Sequence, residues 1–225
     1  MLIVKSLSVI SNSHLYRLHF IPRQPLPFSV CCCFSSLAKT SKAPNPVLVD
    51  YLIKILKFSE RRAISICTRI SHSKAIENAK FVVHFLQELG FSNSHIQSVI
   101  RPLPQILFAN VERSLKPKIK LFQDMGLVGN HLGEFISKHS RVLTASLEKK
   151  LVPRIKICKE ILLNDENNED LVKVITRCQW ILYKNPESLL LSNIAFLQSC
   201  GIVGSQLSKL LSRRPKLFVM QESKA

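Results

Sequence analysis

The first 49 residues of this 225-residue chain contain no aspartate or glutamate, whereas the rest holds all 15 acidic residues. The same segment carries five basic residues and eight serines, a composition typical of presequences that direct import into organelles. A secretory signal is the alternative, but Lys5 interrupts the apolar run and no basic segment precedes it. We therefore expect residues 1–44 to be a disordered, cleaved presequence, with the mitochondrion as first compartment and the chloroplast or another plastid as second.

The sequence also lacks any CxxC pair among its seven cysteines. Three of these are adjacent, at positions 31–33, where they cannot share a tetrahedral metal site, and the odd number disfavours a secreted disulfide framework. Cys178 and Cys200 occupy apolar helical positions, so we expect both to be buried thiols. The cysteines therefore predict no metal.

Catalytic motifs are missing as well: there is no Gly-rich phosphate loop, no HExxH and no GxSxG, and the chain has only six glycines. His95 and His131 recur at the start of two predicted helices, where a capping role is expected rather than metal binding. We predict that the protein is not an enzyme and has no cofactor.

No charged residue occurs between Ser188 and Ser208, a length that could cross a bilayer. The segment nevertheless contains several serine, asparagine and glutamine residues and two glycines. A buried helix pair joined at Gly201 is the better interpretation, and we predict no transmembrane span.

What the chain has in excess is positive charge: 32 Lys and Arg against 15 Asp and Glu, a formal net charge of +17. The part that follows residue 49 retains 27 basic and 15 acidic residues, a net charge of +12, so the excess does not depend on the presequence. Such a charge predicts a polyanionic partner, with nucleic acid as the first candidate.

The chain also repeats itself every 36 residues. Residues 89–124 align without a gap on residues 125–160, with ten identical positions that include a glycine, a histidine and a proline. Two further copies follow, the third after a three-residue insertion, and Leu107, Leu143, Leu182 and Phe218 occupy equivalent positions. One such unit cannot bury its own apolar face, so stacked units are expected to bury each other's.

Within a unit the apolar spacing predicts a helix, then an irregular proline-containing turn, then a second helix that ends at a glycine such as Gly90 or Gly126. The first predicted helix spans Val47 to Lys57, and a later one has an apolar face that includes Phe81, Val82 and Leu86. The acidic insertion at 164–170 is expected to be a solvated loop. No stretch alternates as a strand would, so the fold should be an all-α superhelical solenoid, with a degenerate first unit at 45–80, repeats at 81–220 and a tail at 221–225.

The unit resembles the repeat of the mitochondrial transcription termination factor (mTERF) family, and the resemblance covers about Phe81 to Phe218. The segments that carry it are FLQELGFSNSHIQSVIRPLPQIL, LKPKIKLFQDMGL and LSRRPKLF. With the presequence, it looks like the plant organellar branch and a short or partial member. The resemblance implies an organellar protein that binds nucleic acid and acts in transcription, its termination or transcript processing. Pentatricopeptide and tetratricopeptide repeats have similar periods, but neither explains the recurring prolines.

Basic residues recur at equivalent positions of successive units and could form a stripe along a phosphate backbone. The candidate nucleic-acid-binding residues are Lys138, Arg141, Arg177, Arg213, Lys216, Lys118, Lys120, Arg154 and Lys156. For any single lysine a solvated helix face is the simpler interpretation. These contacts would position the backbone and would not read bases, so they predict no sequence preference. Double-stranded DNA is the favoured ligand and RNA is the alternative.

Two interpretations of other features stay open. Trp180 could stack on an unpaired base, although filling a core gap in an atypical unit is the expected role. The repeats could instead form a non-catalytic scaffold for an organellar protein partner. We expect a monomer that binds nucleic acid.

Overall fold

A computed structural model describes residues 44–70, 76–184 and 186–221. The predicted presequence, except its last residue, and most of the predicted tail lie outside these ranges. The described part consists of helices and turns and contains no strand, which confirms the predicted all-α class. Its ten α-helices are α1 Pro46–Lys54, α2 Glu60–Cys67, α3 Ile76–Glu88, α4 Asn93–Ile100, α5 Lys116–Gln123, α6 Gly129–Lys138, α7 Val152–Ile161, α8 Glu169–Arg177, α9 Glu187–Ser199 and α10 Gly204–Arg213.

The first three repeats have three parts in the same order, and the described residues of the fourth contain the first two parts. The first helix is α4, α6, α8 or α10, and it is followed by a short 3₁₀ helix. The 3₁₀ helices are Pro104–Phe108, Ser140–Thr144, Gln179–Leu182 and Pro215–Val219. The second helix is α5, α7 or α9, and the first two of these are preceded by single π-helical turns at Val111–Leu115 and Leu147–Leu151. The irregular turn expected from the prolines is therefore a 3₁₀ helix.

The three glycines predicted to end helices do so in the structure, where they follow α3, α5 and α9. Gly90, Gly126 and Gly201 have φ of +85°, +93° and +82°, a left-handed conformation that costs glycine no Cβ clash. In each case the next amide donates to a carbonyl five residues back, as Leu127 does to Phe122 at 3.1 Å. This pattern is the Schellman motif, so the three glycines occupy equivalent joints.

The core runs along the whole stack. Each 3₁₀ helix contributes one fully or almost fully buried side chain to the core at an equivalent position: Leu107, Leu143, Leu182 and Phe218. First helices pack on first helices, with α4 against α6 and α8 against α10. Helices α7 and α9 pack on the 3₁₀ helix of the following repeat, and α3, which precedes the first repeat, packs on the 3₁₀ helix of that repeat. A stacked array of repeats follows, as the period predicted.

Local expectations need four corrections. The first helix ends at Lys54, because Lys57 adopts a left-handed φ of +58°. Phe81 is 56% exposed, since Ala79, Val82 and Val83 form the buried face of α3. The acidic segment is not all loop: Glu169 and Asp170 form the first turn of α8, capped by the Asp165 carboxylate, which accepts from the amides of Asp170 and Leu171.

The fourth correction concerns the uncharged segment and its cysteine. Helices α9 and α10 do flank Gly201, but α9 buries only Leu190 and Ile194, while Leu191 and Phe196 are 47% and 65% exposed. Cys200 is also exposed, whereas Cys178 is buried as predicted. None of the described helices combines the length and apolarity needed to cross a membrane.

Candidate nucleic-acid interface

The first set of predicted basic residues lies at the carboxyl ends of successive first helices. Lys138 is the last residue of α6, Arg177 of α8 and Arg213 of α10, and all three side chains are exposed. Cations at this position interact favourably with the helix dipole, which is one reason for their recurrence. Because the helices stack side by side, the same position is presented once per repeat.

Contacts between neighbouring repeats show that these helix ends are adjacent. Arg177 Nη1 donates to the carbonyl of Ser212 at 2.5 Å, and Ser212 directly precedes Arg213. Likewise His139, which follows Lys138, hydrogen-bonds with the backbone of Thr176, the residue before Arg177. Burial, then the charge of Lys138, lowers the pKa of His139, and the Thr176 contact opposes this. The three predicted cations therefore follow one another along one edge of the stack.

Arg69 extends this edge towards the amino terminus, although sequence reasoning missed it. Its Nη1 donates to the carbonyl of Arg101 at 2.7 Å, and its Nη2 to that of Pro102 at 3.3 Å. Arg101 occupies the position of Ser212 three repeats earlier, so Arg69 caps a helix end as Arg177 does. Arg69 was not predicted because it lies before residue 81, where the repeat is degenerate.

A second row of residues lies on the 3₁₀ helices. Arg141 and Lys216 are exposed at the second position of their 3₁₀ helices, and Trp180 holds the same position in the third repeat. We call Lys138, Arg177 and Arg213 together with Arg141 and Lys216 the basic stripe. Lys138 and Arg141 line one cavity of about 240 Å³ together with Trp180.

Further cations surround this row. Lys184 places its Nζ 4.2 Å from the centroid of the Trp180 ring. Burial raises the pKa of the Cys178 thiol, while the charges of Lys216 and Lys184 act in the opposite direction, which places both lysines near the same 3₁₀ helix. Lys184 was absent from the predicted site, because its position is not basic in the other repeats.

One acidic side chain pairs with the stripe. Lys138 Nζ lies 3.4 Å from Glu134 Oε2, and the two side chains are 65% and 48% exposed. Such an exposed pair contributes little to stability and is screened by salt. It leaves Lys138 available to a phosphate.

Lys118 and Arg154 do not belong to this surface, and their inclusion among the candidate contacts needs correction. Lys118 is 8% exposed and Arg154 only 2%. Lys118 Nζ donates to the carbonyl of Leu143 at 2.7 Å, and Arg154 Nη1 to that of Ile181 at 3.0 Å. Burial lowers the pKa of both side chains. These cations satisfy buried carbonyls of the next repeat and are not available to phosphate.

The same column continues at Asn193, although this residue is uncharged. Asn193 Nδ2 donates to the carbonyls of Phe218 and Met220 at 3.1 and 3.0 Å. In three successive repeats, a side chain of the second helix thus reaches the 3₁₀ segment of the following repeat. We call Lys118, Arg154 and Asn193 the inter-repeat clamp.

Lys120 and Lys156 are exposed but lie away from the stripe. They are two residues beyond the clamp positions on α5 and α7, which turns them towards another face of each helix. Lys120 Nζ pairs with Asp124 Oδ1 at 2.9 Å, and Lys156 lines a different cavity with Leu121 and Val152. The structure does not bring them together with Lys138.

Two single-residue expectations also change. Trp180 is 42% exposed and does not fill a core gap, since Ile181 and Leu182 occupy the core of that turn. His95 does not cap α4 with its side chain, because the Ser92 hydroxyl accepts from the His95 amide and the imidazole packs against Gly133 of α6. Within the described ranges no three His, Cys, Asp or Glu side chains are grouped so that they could hold a metal ion.

The part of the chain that contains the repeats also matches a known protein family. The mTERF family matches residues 83–225, which is more than half of the chain. The chain belongs to the mTERF family. Members of this family are helical-repeat proteins of organelles that bind nucleic acid and regulate transcription. No curated protein matches the sequence. The family match begins within α3, so α1 and α2 precede it.

Proposed function

We propose that this mTERF-family protein binds double-stranded DNA, with RNA as the second candidate, and regulates transcription, its termination or transcript processing in an organelle. The observation that supports the proposal best is the position of Lys138, Arg177 and Arg213, which end successive helices on one edge and are exposed. Helices stacked with a regular spacing present one such cation in each of the last three repeats, which suits a polymer of regularly spaced phosphates.

The predicted mode of binding is contact with the backbone. Each neutralised phosphate releases counterions, so the affinity should fall steeply as salt is raised. Lysine and arginine at helix ends fix the register of a nucleic acid but carry no sequence information by themselves. The stripe therefore accounts for affinity and orientation.

We place the protein in the mitochondrion first and in a plastid second, in the plant branch of the family. The support is the acid-free, serine-rich composition of the first 49 residues, which suits both compartments. A fluorescent protein fused behind the first 50 residues should enter one of these organelles. A cytosolic or secreted fusion would contradict both assignments.

A scaffold that binds an organellar protein is the second candidate. The exposed Leu191 and Phe196 on α9 favour it, because exposed apolar side chains occur at protein contact sites. Under this alternative the positive charge would serve import or solubility only. In both cases we expect a monomeric protein without catalytic activity.

Affinity measured across a salt series separates the two functions. Duplex DNA and RNA of the same sequence are titrated with the protein at several salt concentrations. The proposed function predicts a linear fall of log affinity against log salt, with a slope of about −0.9 per phosphate contact for duplex DNA. A scaffold would show weak binding without an appreciable slope.

A further inference from the structure

Trp180 stands at a position that a cation occupies in the second and fourth repeats and Gln105 occupies in the first. Arg141 precedes it and Lys216 follows it at the equivalent place of the neighbouring repeats. Its side chain is 42% exposed, while the adjacent Ile181 and Leu182 are fully buried and supply the packing of this turn. A large aromatic group that is not needed in the core is therefore held at the surface between two cations.

The ring forms part of the wall of a defined cavity. This cavity of about 240 Å³ lies between the 3₁₀ helices of two repeats, and Lys138, Arg141, Gln179 and Tyr183 also line it. Complete small-molecule sites usually measure about 300–1,000 Å³, so this one is too small for a free nucleotide cofactor and suits a single ring system. Polar groups at its rim include Tyr183, which hydrogen-bonds with Gln179 and lies within the electrostatic reach of Arg141.

The charges around the cavity favour a phosphate next to that ring system. Lys138 and Arg141 line the cavity, and Lys184, which does not line it, holds its ammonium group over one face of the Trp180 ring, 4.2 Å from the ring centroid. Glu134 is paired with Lys138 through an exposed, screened contact. A heterocycle joined to phosphates is the chemistry that matches an aromatic wall flanked by cations.

We propose that this cavity binds one unpaired nucleotide, whose base stacks on Trp180 while Lys138, Arg141 and Lys184 contact the flanking phosphates. The inference rests on the proposed nucleic-acid binding and adds to it a class of substrate: a strand that has at least one unpaired base. In a continuous duplex both faces of each base are covered by neighbouring bases, so a paired base cannot stack on the indole.

The full-length chain contains a single tryptophan, so its intrinsic fluorescence reports on Trp180 alone. The protein is titrated with an RNA strand of mixed sequence, with a DNA strand of the same sequence and with the fully paired duplex. Both single strands should quench or shift the emission, and the duplex should bind without this change. A stronger response to one strand identifies RNA or DNA as the source of the nucleotide.

Trp180→Ala should weaken binding of the single strands by about 5- to 150-fold and leave the affinity for the duplex unchanged. Trp180→Phe should retain most of the affinity, because an aromatic face remains. Phe196→Ala is the matched control, since it removes an exposed aromatic side chain away from the stripe. Circular dichroism checks that each variant is folded.

Two negative outcomes have different meanings. If Trp180→Ala leaves single-strand binding unchanged, or weakens single strands and duplex equally, the nucleotide cavity is wrong, while salt-dependent binding through the stripe can still stand. If the unaltered protein binds none of the three nucleic acids even at low salt, the proposed function itself fails.

Discussion

Two columns of basic residues recur at the repeat spacing, and the fold uses them in opposite ways. Lys118 and Arg154 are buried and donate to carbonyls of the following repeat. Lys138 and Arg177 are exposed, and each is the last residue of its helix at the edge of the stack. Recurrence at a fixed period thus establishes that two residues share an environment, but it does not tell whether that environment is protein or solvent.

The buried column has a physical explanation that its charge alone does not suggest. A carbonyl removed from water costs free energy unless it accepts a hydrogen bond, and a long side chain from the preceding repeat can provide the donor. Arginine, lysine and asparagine all meet this need, which is why the clamp changes its residue type from repeat to repeat. Residues that bind phosphate would instead have to be positively charged, so asparagine could not replace them.

The largest effect predicted from this comparison is that of Arg154→Ala on stability. The change removes a buried side chain and leaves the Ile181 carbonyl without this donor, so we expect a loss of about 3 kcal/mol in the free energy of unfolding. Urea denaturation measures it. Lys156→Ala on the same helix removes one exposed charge and should stay within about 0.5 kcal/mol. Equal losses would show that Arg154 is not a clamp.

Asn193→Ala tests whether the clamp extends to the last repeat. Asn193 donates to two carbonyls, those of Phe218 and Met220, and it is only half-buried. The expected loss is about 1–2 kcal/mol in the free energy of unfolding. Ser192→Ala, at the neighbouring exposed position, serves as the control. A variant as stable as the control would restrict the clamp to Lys118 and Arg154.

A pH titration tests whether the surroundings of Arg154 are buried in the folded protein. Burial raises the pKa of Cys158, one turn from Arg154, from 9.0 to about 12. Because the folded state holds this proton more tightly, the stabilisation is complete below pH 9 and is lost as the pH rises towards 12. The slope attributable to one such thiol is at most about 1.4 kcal/mol per pH unit.

Unfolding free energies of three proteins measured between pH 8 and 10.5 check this expectation. The unaltered protein and Cys200→Ala, which lacks an exposed thiol, should lose stability in parallel. Cys158→Ala should lose less over the same interval. Identical pH profiles for all three would show that the buried thiol does not control the alkaline loss.

Much of the architecture was predictable because it depends on local rules. Glycines such as Gly126 end helices through a left-handed conformation, and Leu143 and its equivalents recur because each repeat must cover its neighbour. The interface was less predictable, since exposure depends on how repeats stack. Lys118 is two residues from Lys120, yet only the folded chain shows which of them faces the next repeat. Lys184 was missed because the equivalent positions of the other repeats are not basic, and Arg69 because it lies in the degenerate segment before residue 81.

The smallest predicted effect concerns Lys120 and Lys156, which are exposed but lie away from the stripe. Replacing both with glutamine should change stability by no more than about 0.5 kcal/mol. The salt dependence of binding should also change less than for two stripe residues, such as Lys138 and Arg141. If the salt dependence changes more than it does for the stripe pair, the interface lies on the faces of α5 and α7 that carry Lys120 and Lys156.

The most direct test of the account is the salt slope of a protein in which the stripe has been neutralised. Lys138, Arg141, Arg177, Arg213 and Lys216 are replaced with glutamine, and the control replaces five exposed cations elsewhere, at Lys54, Arg61, Arg62, Lys80 and Lys159. We predict that the stripe variant loses several units of slope, about 0.9 for each lost phosphate contact on duplex DNA, and that the control keeps most of its slope. If both variants lose the same slope, the basic residues act only through total charge, and the stripe is not an interface.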